Sequence, residues 1–221
     1  MDAGSEDPER LRSFREDYRR LHVPRGYRGG RHLFFTFGLG SLALVACLLQ
    51  LEHVQPLEWL AVPLTALYAN LAEYFGHRGP MHRRRRGLGL VFERHTRQHH
   101  RFFTAAAMPV DTLQDLRAVL FPPILMAFFL AAFALPVGWL LAVLVSANVA
   151  WLFGATSLGY FLNYEFLHLA YHLPPRYAVA RWPIVGRLKG LHERHHDPRL
   201  MTHYNFNISY PLGDWLFRTL R

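Results

Sequence analysis

Ten of the fourteen histidines in this 221-residue chain fall into four short clusters, and any fold it adopts must give those clusters a purpose. The first is His77-Arg-Gly-Pro-Met-His82. Residues five apart stand about 140° from one another on an α-helix, a poor arrangement for one ion. The intervening Gly79-Pro80 is expected to break the helix and turn His82 back beside His77. The second cluster is His95-Thr-Arg-Gln-His99-His100. His95 and His99 are expected to share a helix face, while His100 points about 100° away, free to serve a second metal. The third, His168-Leu-Ala-Tyr-His172, is an i,i+4 pair, and the fourth, His192-Glu-Arg-His195-His196, offers i,i+3 and i,i+4 pairs from one turn. Neutral imidazole carries a free lone pair near neutral pH and is the commonest metal ligand. Ten such ligands exceed the coordination sphere of one ion, so two metals are implied.

The single cysteine, Cys47, excludes an internal disulfide framework and any cysteine-rich zinc or iron–sulfur site. A nitrogen-rich shell suits iron, copper, nickel or zinc, and composition does not choose among them. His22, His32 and His53 stand alone and are read as surface or hydrogen-bonded residues.

The remaining constraint is the distribution of charge. No Lys or Arg occurs from His32 to His77 or from Ala118 to Pro175, although the chain carries a net charge of +9. The polar, arginine-bearing start, residues 1–32, is unlike a secretory signal. These blocks predict an all-α integral membrane protein with four transmembrane helices in two hairpins, at about 33–51, 57–75, 119–135 and 138–162. Residues 33–221 then form one membrane domain, with linker 52–56 and turn Pro136-Val137-Gly138 closing the hairpins. Eight basic residues lie in 1–32, nine in 78–117 and eight in 176–221, while both connections have none. The positive-inside rule makes that basic side cytoplasmic, with both termini there and a helical cytoplasmic cap from 78–117 and 173–221 holding the dinuclear site. All four histidine clusters fall on that side. Buried core helices of a soluble protein are the competing reading. The basic charge is read as topology rather than nucleic-acid binding, which would call for a basic stripe on a soluble module. Gly154, Ala155, Ser157 and Gly159 make a small-residue face, read first as close helix packing and second as the lining of a lipid channel.

His77-x4-His82, His95-x3-His99-His100, His168-x3-His172 and His192-x2-His195-His196 together resemble the histidine boxes of the membrane fatty acid hydroxylase/sterol desaturase superfamily. Glu73-Tyr74-x2-His77-Arg78, Tyr164-Glu165-x2-His168 and Asn205-Phe206-x4-Pro211-Leu212-x-Asp214-x-Leu216-Phe217 agree with it. Arg218 departs from the glycine common in relatives, which bears on local packing rather than on the metal.

The resemblance implies all ten box histidines as ligands to two iron ions, which zinc can replace in a purified sample, with O₂ as co-substrate. It implies an oxygen-dependent hydroxylase acting on C–H bonds of a membrane lipid: a fatty acid, sphingolipid, sterol or carotenoid. Glu73, Glu165, Asn205 and Asp214 are candidates for orienting the imidazoles, with ordinary capping or ion pairing as the alternative. His203 is a candidate for the same outer role and is left out of the ligand set. No haem, flavin or nicotinamide module is evident, so electrons are expected from a separate donor protein. Arg83 to Arg86 are read as binding lipid headgroups or setting topology, with donor docking as the second option. The competing functions are a lipid desaturase on the same scaffold, a non-catalytic membrane metal-binding protein, and a metal-dependent hydrolase. The last is disfavoured by the lack of an H-E-x-x-H signature.

Overall fold

The computed structural model describes residues 7–221, so the first six residues of the expected N-terminal segment lie outside the described residues. The chain divides into two compact units. Among the described residues, one consists of 7–29, Glu73–Leu120 and Leu167–Arg221, the other of Gly30–Ala72 and Phe121–Phe166. The described residues are all-α apart from one isolated bridge between Thr104 and Ala107.

The four-span plan is overturned. Among the described residues one helix, Gly29–Leu48, is long and apolar enough to cross a membrane. A second exists only if Leu113–Phe128 and Leu130–Leu144, bent by 40°, count as one span. The two hairpins, the multi-pass membrane placement and the cytoplasmic assignment of both termini fall with that plan. The physical reasons differ from segment to segment. In the expected second span, a 3₁₀ turn at Pro56–Leu60 precedes an α-helix, Ala61–Gly76, of only 16 residues. The expected third span is interrupted at Leu120, whose backbone is extended, and helix resumes at Pro123. The expected turn at 136–138 is helical: the π-helical turn Leu130–Ala134 runs directly into the α-helix Leu135–Leu144, which contains Pro136. The chain turns instead at Val145-Ser146, where the Ser146 hydroxyl accepts from the Val149 amide at 3.2 Å and so starts the next helix. That helix, Ala147–Tyr171, has 25 residues but carries Asn148, Ser157, Asn163 and Glu165.

In the unit of Gly30–Ala72 and Phe121–Phe166, polar contacts tie helices together. Asn70 donates to the Tyr160 hydroxyl at 3.0 Å, and Asn148 donates to the Glu52 carbonyl at 2.7 Å and to the Glu58 carboxylate at 3.0 Å. Gly154 and Gly159 allow close packing: a Cβ at either would stand 3.4 Å from Cys47 or Leu44 respectively. Large apolar side chains, Leu42, Leu64, Trp139 and Leu144 among them, face outward.

The other unit has its core in Tyr18, Val23, Phe102, Phe103, Ala118 and Val119. The N-terminal helix Pro8–His22 begins with Asp7 accepting from the Glu9 amide, a side-chain cap, and has Pro8 in its first turn. It is an integral part of this core. Tyr18 packs edge-on against Phe102, and Arg19 makes a two-pronged ion pair with buried Asp115 at 2.8 and 2.9 Å.

Candidate metal centre

All ten box histidines belong to one unit and are buried. Five of them, His77, His82, His95, His100 and His195, bring one ring nitrogen each within 4.8 Å of one another. Four more, His99, His172, His192 and His196, form a second such group. The tenth, His168, approaches the second group with its Nε2 3.3 Å from that of His99.

Local helix geometry decides which histidine joins which group. Both i,i+5 pairs sit on π-helical turns, His77–Met81 and Glu93–His99. An i→i+5 hydrogen-bonded turn is wider than an α turn and brings residues five apart onto one face. The helix therefore does not break at Gly79-Pro80 as expected; it widens, with Pro80 inside it. The same widening pairs His95 with His100, Nε2 to Nε2 at 3.0 Å. His99, not His100, departs to the second group. The α-helical i,i+4 pairs stay together, His168 and His172 at the second group and His192 and His196 in it, whereas His195, three residues from His192, joins the first.

Outer contacts fix ring orientation. Nδ1 donates to a backbone carbonyl in His77 (to Phe206), His99 (to Ala118, 2.9 Å), His172 (to Met108, 2.8 Å), His195 (to Tyr204, 2.9 Å) and His196 (to Phe103, 2.7 Å). A carbonyl can only accept, so each Nδ1 carries the proton and each Nε2 presents a lone pair. His82 is held likewise, because Thr96 donates its hydroxyl proton to the Met81 carbonyl and is left to accept from Nδ1 at 3.3 Å. Nδ1 of His100 and of His192 meets no partner among the described residues.

The rings fixed in this way face one another Nε2 to Nε2 at short range, His82 and His195 at 2.9 Å and His99 and His196 at 3.1 Å. Lone pairs cannot hydrogen-bond each other, and added protons would place several positive charges in a buried space. Burial first, and the neighbouring imidazoles second, push His77, His95, His100, His168, His172, His192 and His196 well below the usual histidine range. Burial and the neighbouring His195 and His99 take His82 to about 2, and burial takes His99 and His195 to about 4. Neutral, inward-pointing imidazoles are what a divalent cation requires. Two nitrogens bound about 2.1 Å from one ion stand about 3 Å apart, which is the spacing found here. The residues fit two ions.

Of the expected orienting residues, Asp214 and Glu73 hold the backbone around the carbonyl that receives His77, and the others do not. Asp214 accepts from the amides of Phe206 (2.9 Å) and Asn207 (2.7 Å), steadying the carbonyl that receives His77. Glu73 accepts from the Ile208 and Ser209 amides just beyond it. Asn205, at a left-handed φ of 55°, exchanges hydrogen bonds with the backbone of Arg221, an ordinary tether of the C-terminus. Glu165 accepts from the Phe121 amide at 3.2 Å rather than from an imidazole. His203 is exposed, contacts Thr202, and belongs to neither group. His32 is buried, with Nε2 3.0 Å from the Phe121 carbonyl, as befits a hydrogen-bonded histidine. The orienting carbonyls themselves, and Thr96, left no mark in the sequence, since any residue supplies a carbonyl.

A solved structure titled full-length scs7p with only its hydroxylase domain visible superposes with a TM-score of 0.57 at 19% identity. The match covers 84% of this chain and 63% of that one, and at this identity the likeness concerns the fold. No curated protein matches. Residues 62–219, which contain every box histidine, match the fatty acid hydroxylase family over most of the chain. The chain belongs to the fatty acid hydroxylase family.

Proposed function

We propose that this protein is an oxygen-dependent di-iron hydroxylase acting on a C–H bond of a lipid. The observation that carries the reading is the convergence of ten buried imidazoles, nine in two groups and His168 beside the second, with six rings held so that Nε2 presents a lone pair and no acidic side chain in either group. His77, His82, His95, His100 and His195 would hold one iron; His99, His168, His172, His192 and His196 would hold the other.

Two irons bound there would supply O₂ activation and oxidation of the C–H bond. The balanced conversion takes R–H, O₂, two electrons and two protons to R–OH and water. The chain's own contribution is to hold twin nitrogen shells in fixed orientation through the Nδ1–carbonyl bonds, and to keep bulk water from them. Phe206 helps in this, its ring fully buried 6.1 Å from that of His77 and 5.9 Å from that of His195. Stacked, buried rings also limit reorientation when an ion changes charge.

A lipid substrate accords with the outward-facing apolar side chains and with the family. The two electrons would come from a separate donor protein. The test is to load the purified protein with iron, then measure metal content and O₂ consumption with a reductant and lipid extract. Two irons and oxygen uptake coupled to a hydroxylated lipid support the reading. Two irons without oxygen use would leave a non-catalytic metal protein. Lipid profiles of cells with the protein, without it, and with His168→Ala would name the substrate class.

A further inference from the structure

Arg15 lies on the N-terminal helix, outside the family match, yet its side chain is only 9% exposed. Its guanidinium is directed at one stretch of backbone. Nε donates to the Phe102 carbonyl at 2.9 Å, one terminal nitrogen to Ala107 at 2.6 Å, and the other to Pro109 at 3.3 Å and to the Asp111 carboxylate at 3.0 Å. The group also lies over the Phe102 ring, 4.9 Å from its centre. Between Phe102 and Leu113 the chain has no helix and only the Thr104–Ala107 bridge, so its carbonyls lack a regular ladder to hold them.

Two carbonyls in that stretch have a second duty. Phe103 accepts from Nδ1 of His196, and Met108 accepts from Nδ1 of His172. Arg15 grips the carbonyls beside them, at 102, 107 and 109. Both histidines belong to the same group, that of His99, His172, His192 and His196. The other group takes its outer bonds elsewhere, from Phe206, Tyr204 and Thr96.

We infer that Arg15 is a positioning residue for one metal ion of the pair, acting through the 102–111 backbone on His172 and His196 and leaving the His77 group untouched. The inference rests on the two-iron reading. A planar fork with five donors suits three divergent carbonyls, whereas a lysine ammonium can keep the Asp111 ion pair without spanning them.

The test uses the full chain, loaded with iron and dialysed against graded chelator, with iron per chain and far-ultraviolet circular dichroism as readouts. Wild type is expected to retain two irons. Arg15→Met and Arg15→Lys are each expected to keep native helix content and one tightly held iron, the second being roughly 10–100-fold weaker. Combining Arg15→Lys with His196→Ala should remove nothing more, while combining it with His77→Ala should leave neither ion tightly bound. Arg15→Lys does not depend on the outcome for Arg15→Met, because it preserves the aliphatic stem on Phe102 and the charge beside Asp111. Two irons held at wild-type strength in Arg15→Lys would overturn the inference. So would equal weakening of both ions, with or without loss of helix, or the opposite pattern in the combined variants. A wild-type chain that binds no iron would overturn the proposed function itself, a result distinct from all of these.

Discussion

His99 and His196 meet Nε2 to Nε2 at 3.1 Å while the opposite nitrogen of each ring donates to a backbone carbonyl, that of Ala118 or of Phe103. Neither ring has a proton to offer the other, so the contact is repulsive until a cation lies between them. Chelation should therefore lower the thermal midpoint and reloading should restore it. An ion present at 100-fold its dissociation constant adds about 2.7 kcal/mol. For a chain of this size that is roughly 5–10 °C. Calorimetry of chelated and reloaded protein checks this, and an unchanged midpoint would contradict it.

Acid should weaken the metal-free fold. His99 and His195 sit near 4 and His82 near 2 in the folded chain, chiefly through burial. In the unfolded chain they return to about 6.5. Below that pH the unfolded state binds more protons, so stability falls as pH drops from about 6.5 towards 4 and beyond, and these groups impose no slope above it. Urea titrations at pH 5, 6, 7 and 8 test the sign. A midpoint that rises as pH falls from about 6.5 to 5 would refute it.

Glu165 has the reverse slope. Burial raises its carboxyl to about 8, against a lowering contribution from the Phe121 amide. Between the unfolded carboxyl's usual range and pH 8 the folded chain holds a proton that the unfolded chain has released, so stability from this group declines as pH rises through that window. Glu165→Gln keeps an acceptor for Phe121 and removes the titration. The variant should match wild type at about pH 4 and increasingly exceed it towards pH 8, and the difference between their urea midpoints isolates the effect.

Gly213 has no room for a side chain. A Cβ there would lie 2.7 Å from Asn207 Oδ1 and 2.8 Å from Tyr74 Cβ. Gly213→Ala should cost about 1–3 kcal/mol through overpacking. It should also weaken the His77 group, because Asp214 is the next residue and anchors the Phe206 and Asn207 amides. Thermal melts and iron content are the readouts. Wild-type values for both would count against this tight packing.

The metal centre was largely legible in the sequence and its partition was not. Ten histidines announce themselves by type and spacing. Whether His99 or His100 faces His95 depends on the hydrogen-bond register of seven residues, and a π-helical register has no residue signature. The fold was less legible. Charge-free stretches located the apolar segments, but Pro136 read as a turn when the helix runs on through it from a π-helical turn, while the break fell at Ser146, where only a hydroxyl marks it. Arg15 was one arginine among eight in residues 1–32, and nothing local distinguishes the buried one.

The widened turns at His77–Met81 and Glu93–His99 have a genetic corollary. Such a turn accommodates one surplus residue without rotating the helix beyond it. Excising exposed Arg97 would shorten the His95–His100 interval to four, the interval that an ordinary α turn already aligns. Insertion and deletion at this spot are then interchangeable with a switch of helix type, and His95 and His100 share a face with either spacing.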